Sequence, residues 1–250
     1  GHCEFGWGGG MEHQTMTAQC CFFESLTAHE LAHQWWGDAI TCKTWSDIWL
    51  NEGFAEYAEC LWEEFKTGAS NRAAYFSAIV ARKPARVDGS VYIYPPDTAV
   101  RSRIFDPNLS YYKAAWVLHQ LRHVVGDPIF FQILTGYRAA FEGSAATTDE
   151  FVAVASATYG QDLAWFFDQW VYGAGYPVID VHVENSTQLV VEQVQVEGGG
   201  QPAEFRLTVP VRKPGKCTRR RQRRVSRRWP LRRSSRCRRR SGMSWGPPPR

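Results

Sequence analysis

The sequence predicts a mainly α fold that gives way to a small β segment towards its C-terminal end. Three observations carry this. From residue 23 to residue 172, apolar side chains recur at helical spacing, and the runs are bounded by capping residues or glycines. From residue 178 the period changes to alternation of apolar and polar residues, the pattern of half-buried strands. Beyond residue 214 neither period survives.

Taken in order, the first element is Phe5-Gly6-Trp7-Gly8-Gly9-Gly10, a glycine-rich turn leading into an extended Met11-Glu12-His13-Gln14-Thr15. A helix is predicted over 23–37, stopped by Gly37, with Trp35 and Trp36 read as core. Ser46-Asp47 reads as the cap of the next helix, where Leu50, Phe54, Tyr57, Leu61 and Phe65 form an apolar stripe. A further helix covers 70–82, and 83–109, with five prolines and glycines, reads as a long irregular segment. Ser110 is the predicted cap of a helix with Tyr111 in its first turn and Trp116, Leu118 and Leu121 facing inward. Asp127-Pro128 opens another helix, and Thr147-Thr148-Asp149-Glu150 contains a capping box for one ending at Gly160. Asp162 caps the last helix, 163–172, whose Trp165, Phe166, Phe167 and Trp170 read as core. Strands follow over 178–184, 194–196 and 205–209.

The formal charge of +4 hides two opposite parts. Lys216 and 14 of the Arg fall in 216–250 without one acid, so residues 1–215 carry 14 basic against 25 acidic residues. The body is acidic and the tail basic. The tail, 214–250, is expected to be disordered. It resembles an out-of-frame reading of GC-rich coding sequence, and it lacks any fold that would make it a specific nucleic-acid binder. No run of 18 apolar residues exists, so no membrane span is encoded. The seven Cys show no CxxC spacing and include the adjacent Cys20-Cys21, so they indicate neither a thiolate metal site nor a complete disulfide framework. They assign no redox compartment, and the composition assigns no oligomeric state.

Chemistry concentrates in residues 29–52. His29-Glu30-Leu31-Ala32-His33 sets two imidazoles four residues apart, on one face of a helix, where they can share one metal ion. Glu30 lies beside the same ion, able to take a proton from water. Glu52, in Asn51-Glu52-Gly53, is the candidate third ligand. Two imidazoles and one carboxylate, leaving a fourth position open, describe a catalytic zinc. The metzincin pattern would need Gly and His where Trp36 and Ala39 stand, which excludes it. Glu56, one turn after Glu52, and Asp38 read equally well as orienting groups or as solvated surface.

These motifs resemble the aminopeptidase N family of zinc metallopeptidases, the gluzincins. Residues 29–52 match its HExxH-x18-E motif, and Gly9-Gly10-Met11-Glu12-His13 resembles its GxMEN motif, with His13 where Asn is commonest. Tyr111-Tyr112-Lys113-Ala114-Ala115 is similar to its Tyr-x-Lys-Gly-Ala segment, with Ala114 in place of Gly and Tyr112 as the alternative register. The resemblance implies a thermolysin-like zincin catalytic domain over 1–174, followed over 175–213 by the beginning of a β-sandwich. It implies one Zn2+ ion, and a peptide substrate with a free N-terminus. Glu12 would bind the substrate's α-amino group, and Gly9, Gly10 and Met11 would hold the peptide as an added strand. Glu30 would act as the base, and Tyr111 would donate to the oxyanion. A fragment is expected, lacking the family's N-terminal β-domain and C-terminal helical domain. A thermolysin-like endopeptidase and a non-catalytic relic of the family are the alternatives.

Overall fold

The computed structural model describes residues 1–86, 88–185, 188–195, 201–202, 204–207, 211–213, 216–218 and 226–230. Three short strands open the chain, β1 (His2–Glu4), β2 (Gly10–Met11) and β3 (Thr17–Gln19), in the order β1-β3-β2. β1 runs parallel to β3 and β2 antiparallel to it, so β2 is an edge. Helix α1 (Glu24–Ala32) follows, then β4 (Ile40–Cys42), α2 (Trp49–Phe65) and α3 (Arg72–Ala81). After an irregular stretch come α4 (Arg101–Ile104) and a wide π-type segment, Pro107–Lys113, which runs into α5 (Ala114–Val125). Helix α6 (Asp127–Phe141), β5 (Ser144–Ala146), α7 (Thr148–Tyr159) and α8 (Ala164–Phe167), which runs on into a π-type segment, Asp168–Tyr172, complete the helical part, with β5 parallel to β4.

Most of these elements are those the periodicity predicts. The capping box of α7 forms in full: Glu150 N–H donates to Thr147 Oγ1 (3.3 Å), and Thr147 N–H donates to Glu150 Oε2 (2.8 Å). Gly160 ends that helix with φ of 72°. The core lies where α2 meets α5, α6 and α7. There Phe54 packs on Trp49, Tyr137 and Phe151, and Phe151 packs on Phe167, with ring centroids 5.3–6.0 Å apart.

Both ends of α2 are tied by buried polar groups. At its start, Asp47 does not cap α2 as the sequence predicts. It reaches across the fold instead, and its Oδ1 accepts from the N–H (2.9 Å) and Oγ1–H (2.8 Å) of Thr148 in α7. Trp49 Nε1 donates to the same Thr148 hydroxyl (2.9 Å). The α7 N–H groups offer Asp47 better-placed donors than its own helix does. At the other end, Arg122 of α5 grips Glu64 through two nitrogens, at 2.7 and 3.3 Å, with Arg122 3% and Glu64 1% exposed.

Other expectations shift for identifiable reasons. Helix α1 stops at Ala32, and Asp38 N–H donates to His33 O (2.9 Å) as the chain turns back through Gly37, whose φ is 143°. Trp36 packs against Phe54 and Tyr137 as core, but Trp35 is exposed because the early stop turns it outward. Ser110 is no cap: Asp106 takes that place, accepting from the N–H of Asn108 and of Leu109, ahead of Pro107. Glu12 follows β2 rather than lying within it.

Towards the C-terminus β6 (Ile179–Glu184) pairs antiparallel with β7 (Gln188–Gln193), the start of a sheet domain. The predicted second strand, 194–196, therefore lies just before its expected place, and residue 196 falls outside the described residues. Phe205–Leu207 forms no strand, because glutamine side chains occupy its backbone. Gln193 bonds both N and O of Phe205 (2.8 Å each), and Gln169 does the same for Arg206 (2.6 and 3.2 Å). Residues 208–210 lie outside the described residues. β8 (Val211–Lys213), just ahead of the basic tail, pairs with β9 (Lys216–Thr218) inside it, and there, where no regular structure is expected, β10 (Ser226–Pro230) also pairs antiparallel with the free edge of β7. Backbone pairing at an open edge is largely indifferent to side-chain pattern, so no period announces it. Residues 231–250 lie outside the described residues.

The Arg122–Glu64 contact makes a stability prediction. Removing one partner of a buried ion pair costs about 3–5 kcal/mol, because the other charge is stranded. Ser70 and Arg72 still donate to Glu64 (2.8 and 3.1 Å). Arg122→Met is therefore expected near the lower end, about 3 kcal/mol, read from the midpoint of urea unfolding. An unchanged midpoint would show the pair to be dispensable.

Candidate metal centre and active site

Helices α1 and α2 lie against each other, and the three predicted metal ligands meet at that contact. His29 Nε2 is 3.5 Å and His33 Nε2 3.3 Å from the same oxygen, Glu52 Oε2. Around a tetrahedral ion with bonds of about 2.0–2.1 Å, ligand atoms stand about 3.3 Å apart. The donor set therefore fits a zinc-sized ion, and all three ligand residues are buried.

The far nitrogens of both rings are also held, which turns Nε2 inward. His33 Nδ1 bonds the carbonyl of Trp36 (2.9 Å), and His29 Nδ1 bonds Glu59 Oε1 (3.0 Å). Arg82, at the end of α3, in turn pairs with Glu59 Oε2 and Glu56 Oε1, each at 2.6 Å. Glu56 thus proves buried rather than solvated, and its Oε2 is 3.7 Å from His29 Nδ1. Burial opposes charge on His29, but the carboxylates of Glu52 and Glu59 overcome it and push the imidazole up to about 10. His33 is raised against its own burial, chiefly by Glu52, and the two rings hold Glu52 down to about 2 despite its burial. The pocket demands positive charge beside Glu52.

Glu30 is set differently. It is buried, its Oε2 has no hydrogen-bond partner, and burial pushes its carboxyl up to about 7 against the pull of His29 and His33. A carboxyl near neutrality with a free oxygen is suited to proton transfer. It lies directly against Gly10, where an added Cβ would overlap the carboxylate. This gives the glycine of the Gly-Gly-Met-Glu stretch a steric reason.

A cleft of about 940 Å³ runs past these groups, lined by Gly9, Gly10, Met11, Glu12, His29, Glu30, His33, Glu52 and Tyr111, among others. Glu12 Oε1 stands 3.8 Å from His33 Nδ1, and Glu12, Glu30 and His33 form a second cluster of donor atoms within 4.8 Å. Tyr111 stacks on His29, with centroids 6.1 Å and planes 18° apart. Burial first, then the Glu52 carboxylate, raises its phenol above the ordinary tyrosine value, so it remains a proton donor. Tyr112 also lines the cleft, while Lys113 is buried and donates to the carbonyls of Gly89 (3.2 Å) and Gly173 (2.8 Å). Ala114 fits because Gly53 faces it, leaving no Cβ to clash.

Sequence reasoning missed Glu59 and Arg82. Glu59 is seven residues after Glu52, two helical turns along the same face, and that spacing was the available signal. Arg82 left none, since its role arises only when α3 packs on α2. Because Glu59 orients His29, Glu59→Gln is expected to weaken zinc binding by about 10- to 100-fold, measured by competition with a chelating dye. Undiminished affinity would mean that Glu59 serves only Arg82.

Residues 12–170 match the Peptidase family M1 domain. The chain is similar to probable aminopeptidase 1 of Sulfurisphaera tokodaii, 34% identical over 65% of this chain and 21% of that protein. Aminopeptidase N of Lactococcus lactis subsp. cremoris is 31% identical over 70% of this chain and 21% of its own length. The chain thus spans about a fifth of these curated relatives. Among solved structures, a two-domain M1 zinc metallopeptidase variant bound to L-tryptophan superposes with a TM-score of 0.60 at 30% identity, covering 69% of this chain and 38% of that one. An M1 zinc metallopeptidase variant from Deinococcus radiodurans bound to a Tyr-Ser-Ala substrate gives 0.58 at 32% identity, with 68% and 38% covered. By the domain match, which spans more than half of its length, this chain belongs to peptidase family M1.

Proposed function

We propose that this chain is the core of a zinc-dependent aminopeptidase that hydrolyses the N-terminal peptide bond, with one zinc ion held by His29, His33 and Glu52. The observation that carries the reading is the placement of Glu12 in the same cleft as Glu30 and His33. A carboxylate there has a use if a substrate's ammonium must be held, and none if the chain is cut internally. Residues 1–174 would be the catalytic unit, and 175–213 the start of a β-sandwich.

When bound, the zinc would supply Lewis acidity towards a water and a carbonyl oxygen. Glu12 pairs with the α-ammonium and so sets which bond reaches Glu30. The free edge of β2, beside Gly10 and Met11, offers backbone groups to an extended peptide. Glu30 accepts the proton of the attacking water and returns one to the leaving amine, a role its raised pKa and unpartnered oxygen support. Tyr111, kept protonated by burial, donates to the oxygen on which negative charge develops.

Two experiments test this. Glu30→Gln keeps every proposed ligand, so zinc should stay bound, while turnover of aminoacyl arylamides should fall by about 10²- to 10⁴-fold, the usual worth of a general base. Near-normal turnover would remove Glu30 from the role. An ammonium paired with Glu12 in a partly desolvated cleft is worth about 2–5 kcal/mol, or roughly 30- to 5000-fold in kcat/KM. Glu12→Ala and acetylation of the substrate amine should each produce a loss of that size. Equal rates on free and acetylated peptides, with internal cuts, would instead identify an endopeptidase.

A further inference from the structure

The sheet that leads to Glu12 ends in two adjacent thiols that hydrolysis does not use. Cys20 and Cys21 follow β3 directly, and their sulfurs stand 2.7 Å apart. Both are free and half-buried. Cys20 faces a small surface hollow lined by Glu4, Phe5, Gly6, Trp7 and Gly8, so the pair can be reached from solvent. Its N–H donates to Gly9 O (2.9 Å), and its neighbour Gln19 pairs with Gly10. The dithiol is thus stitched to the glycine strand on one side and begins the link to α1 on the other.

We propose that Cys20 and Cys21 form a modification site, which a low-molecular-weight disulfide such as oxidised glutathione closes reversibly into a vicinal disulfide. In the first exchange the Cys20 thiolate attacks one sulfur of the oxidant. A protein–glutathione disulfide forms, the oxidant's S–S bond breaks, and one glutathione leaves as thiol with the proton Cys20 has lost. Cys21 then attacks the Cys20 sulfur and expels the second glutathione, which takes up the Cys21 proton. Two protein thiols and one oxidant disulfide have become one protein disulfide and two glutathione thiols. Cys20, which lines the hollow, is the first nucleophile, and the hydrogen bond to Cys20, with some burial, holds the Cys21 thiol above its ordinary value.

Adjacent α-carbons are about 3.8 Å apart, closer than disulfides normally require. The ring is therefore strained and belongs to the easily reduced class of bridges rather than to structural ones. Closing it stiffens the joint between β3, which pairs with Gly10 and Met11, and helix α1, which carries His29.

The test treats the full chain with oxidised glutathione, quenches with acid, alkylates the remaining thiols and maps the peptides by mass spectrometry. The expected peptide contains Cys20 and Cys21, has lost two hydrogens, carries no alkyl group, and regains both thiols in excess reduced glutathione. Cys21→Ser should trap one glutathione on Cys20. Full alkylation of both cysteines, a lasting glutathione adduct on the unaltered chain, or a bridge from either to Cys3 would each overturn the proposal. The readout is independent of peptidase activity, so its failure leaves the proposed hydrolysis untouched.

Discussion

One buried carboxylate oxygen, Glu52 Oε2, shared by two imidazoles across the contact of α1 with α2, is the constraint on which the site depends. Glu52, Glu56 and Glu59 all lie buried along α2. Three acids on one buried helix face would repel one another and resist desolvation, and the fold answers with His29, His33 and Arg82. The residues that would bind a cation are thus also those whose charges make the helix contact tolerable. A metal ion and the imidazolium protons are alternative ways of meeting the same electrostatic demand.

That arrangement has to be stiff, and the stiffness comes from the ends of α2. Asp47 and Trp49 tie its start to Thr148 of α7, and Glu64 ties its end to Arg122 of α5. Between those anchors, Gly53 admits Ala114, which brings the segment bearing Tyr111 close to the candidate metal ligands. Gly10 performs the same service for Glu30. In both places a missing Cβ converts backbone proximity into functional proximity.

Local chemistry was largely legible in the sequence. The i, i+4 imidazoles, the capping box at Thr147–Glu150, the proline that opens α6 and the glycine that ends α7 need only their own helix. Their geometry follows from spacing along one element. The apolar stripe of α2 was legible for the same reason. The resemblance to known motifs then singled out Glu12 and Tyr111, which spacing alone would have left among ordinary surface or core residues.

What the sequence could not announce are contacts between elements distant along the chain. Asp47 reads as a cap because that is its best local use, yet Thr148, 101 residues later, supplies better donors. Arg82 and Glu59 acquire meaning only once α3 lies on α2, and 205–207 forms no strand because Gln193 and Gln169 hold the backbone that alternation assigned to one. The sequence alone singled out the candidate ligands and the helices that bear them, since helical period is a property of one segment. Tertiary structure decided which nitrogen faces the metal position, which carboxyl is raised and which phenol stays protonated. Those depend on burial and on charges brought from other parts of the chain.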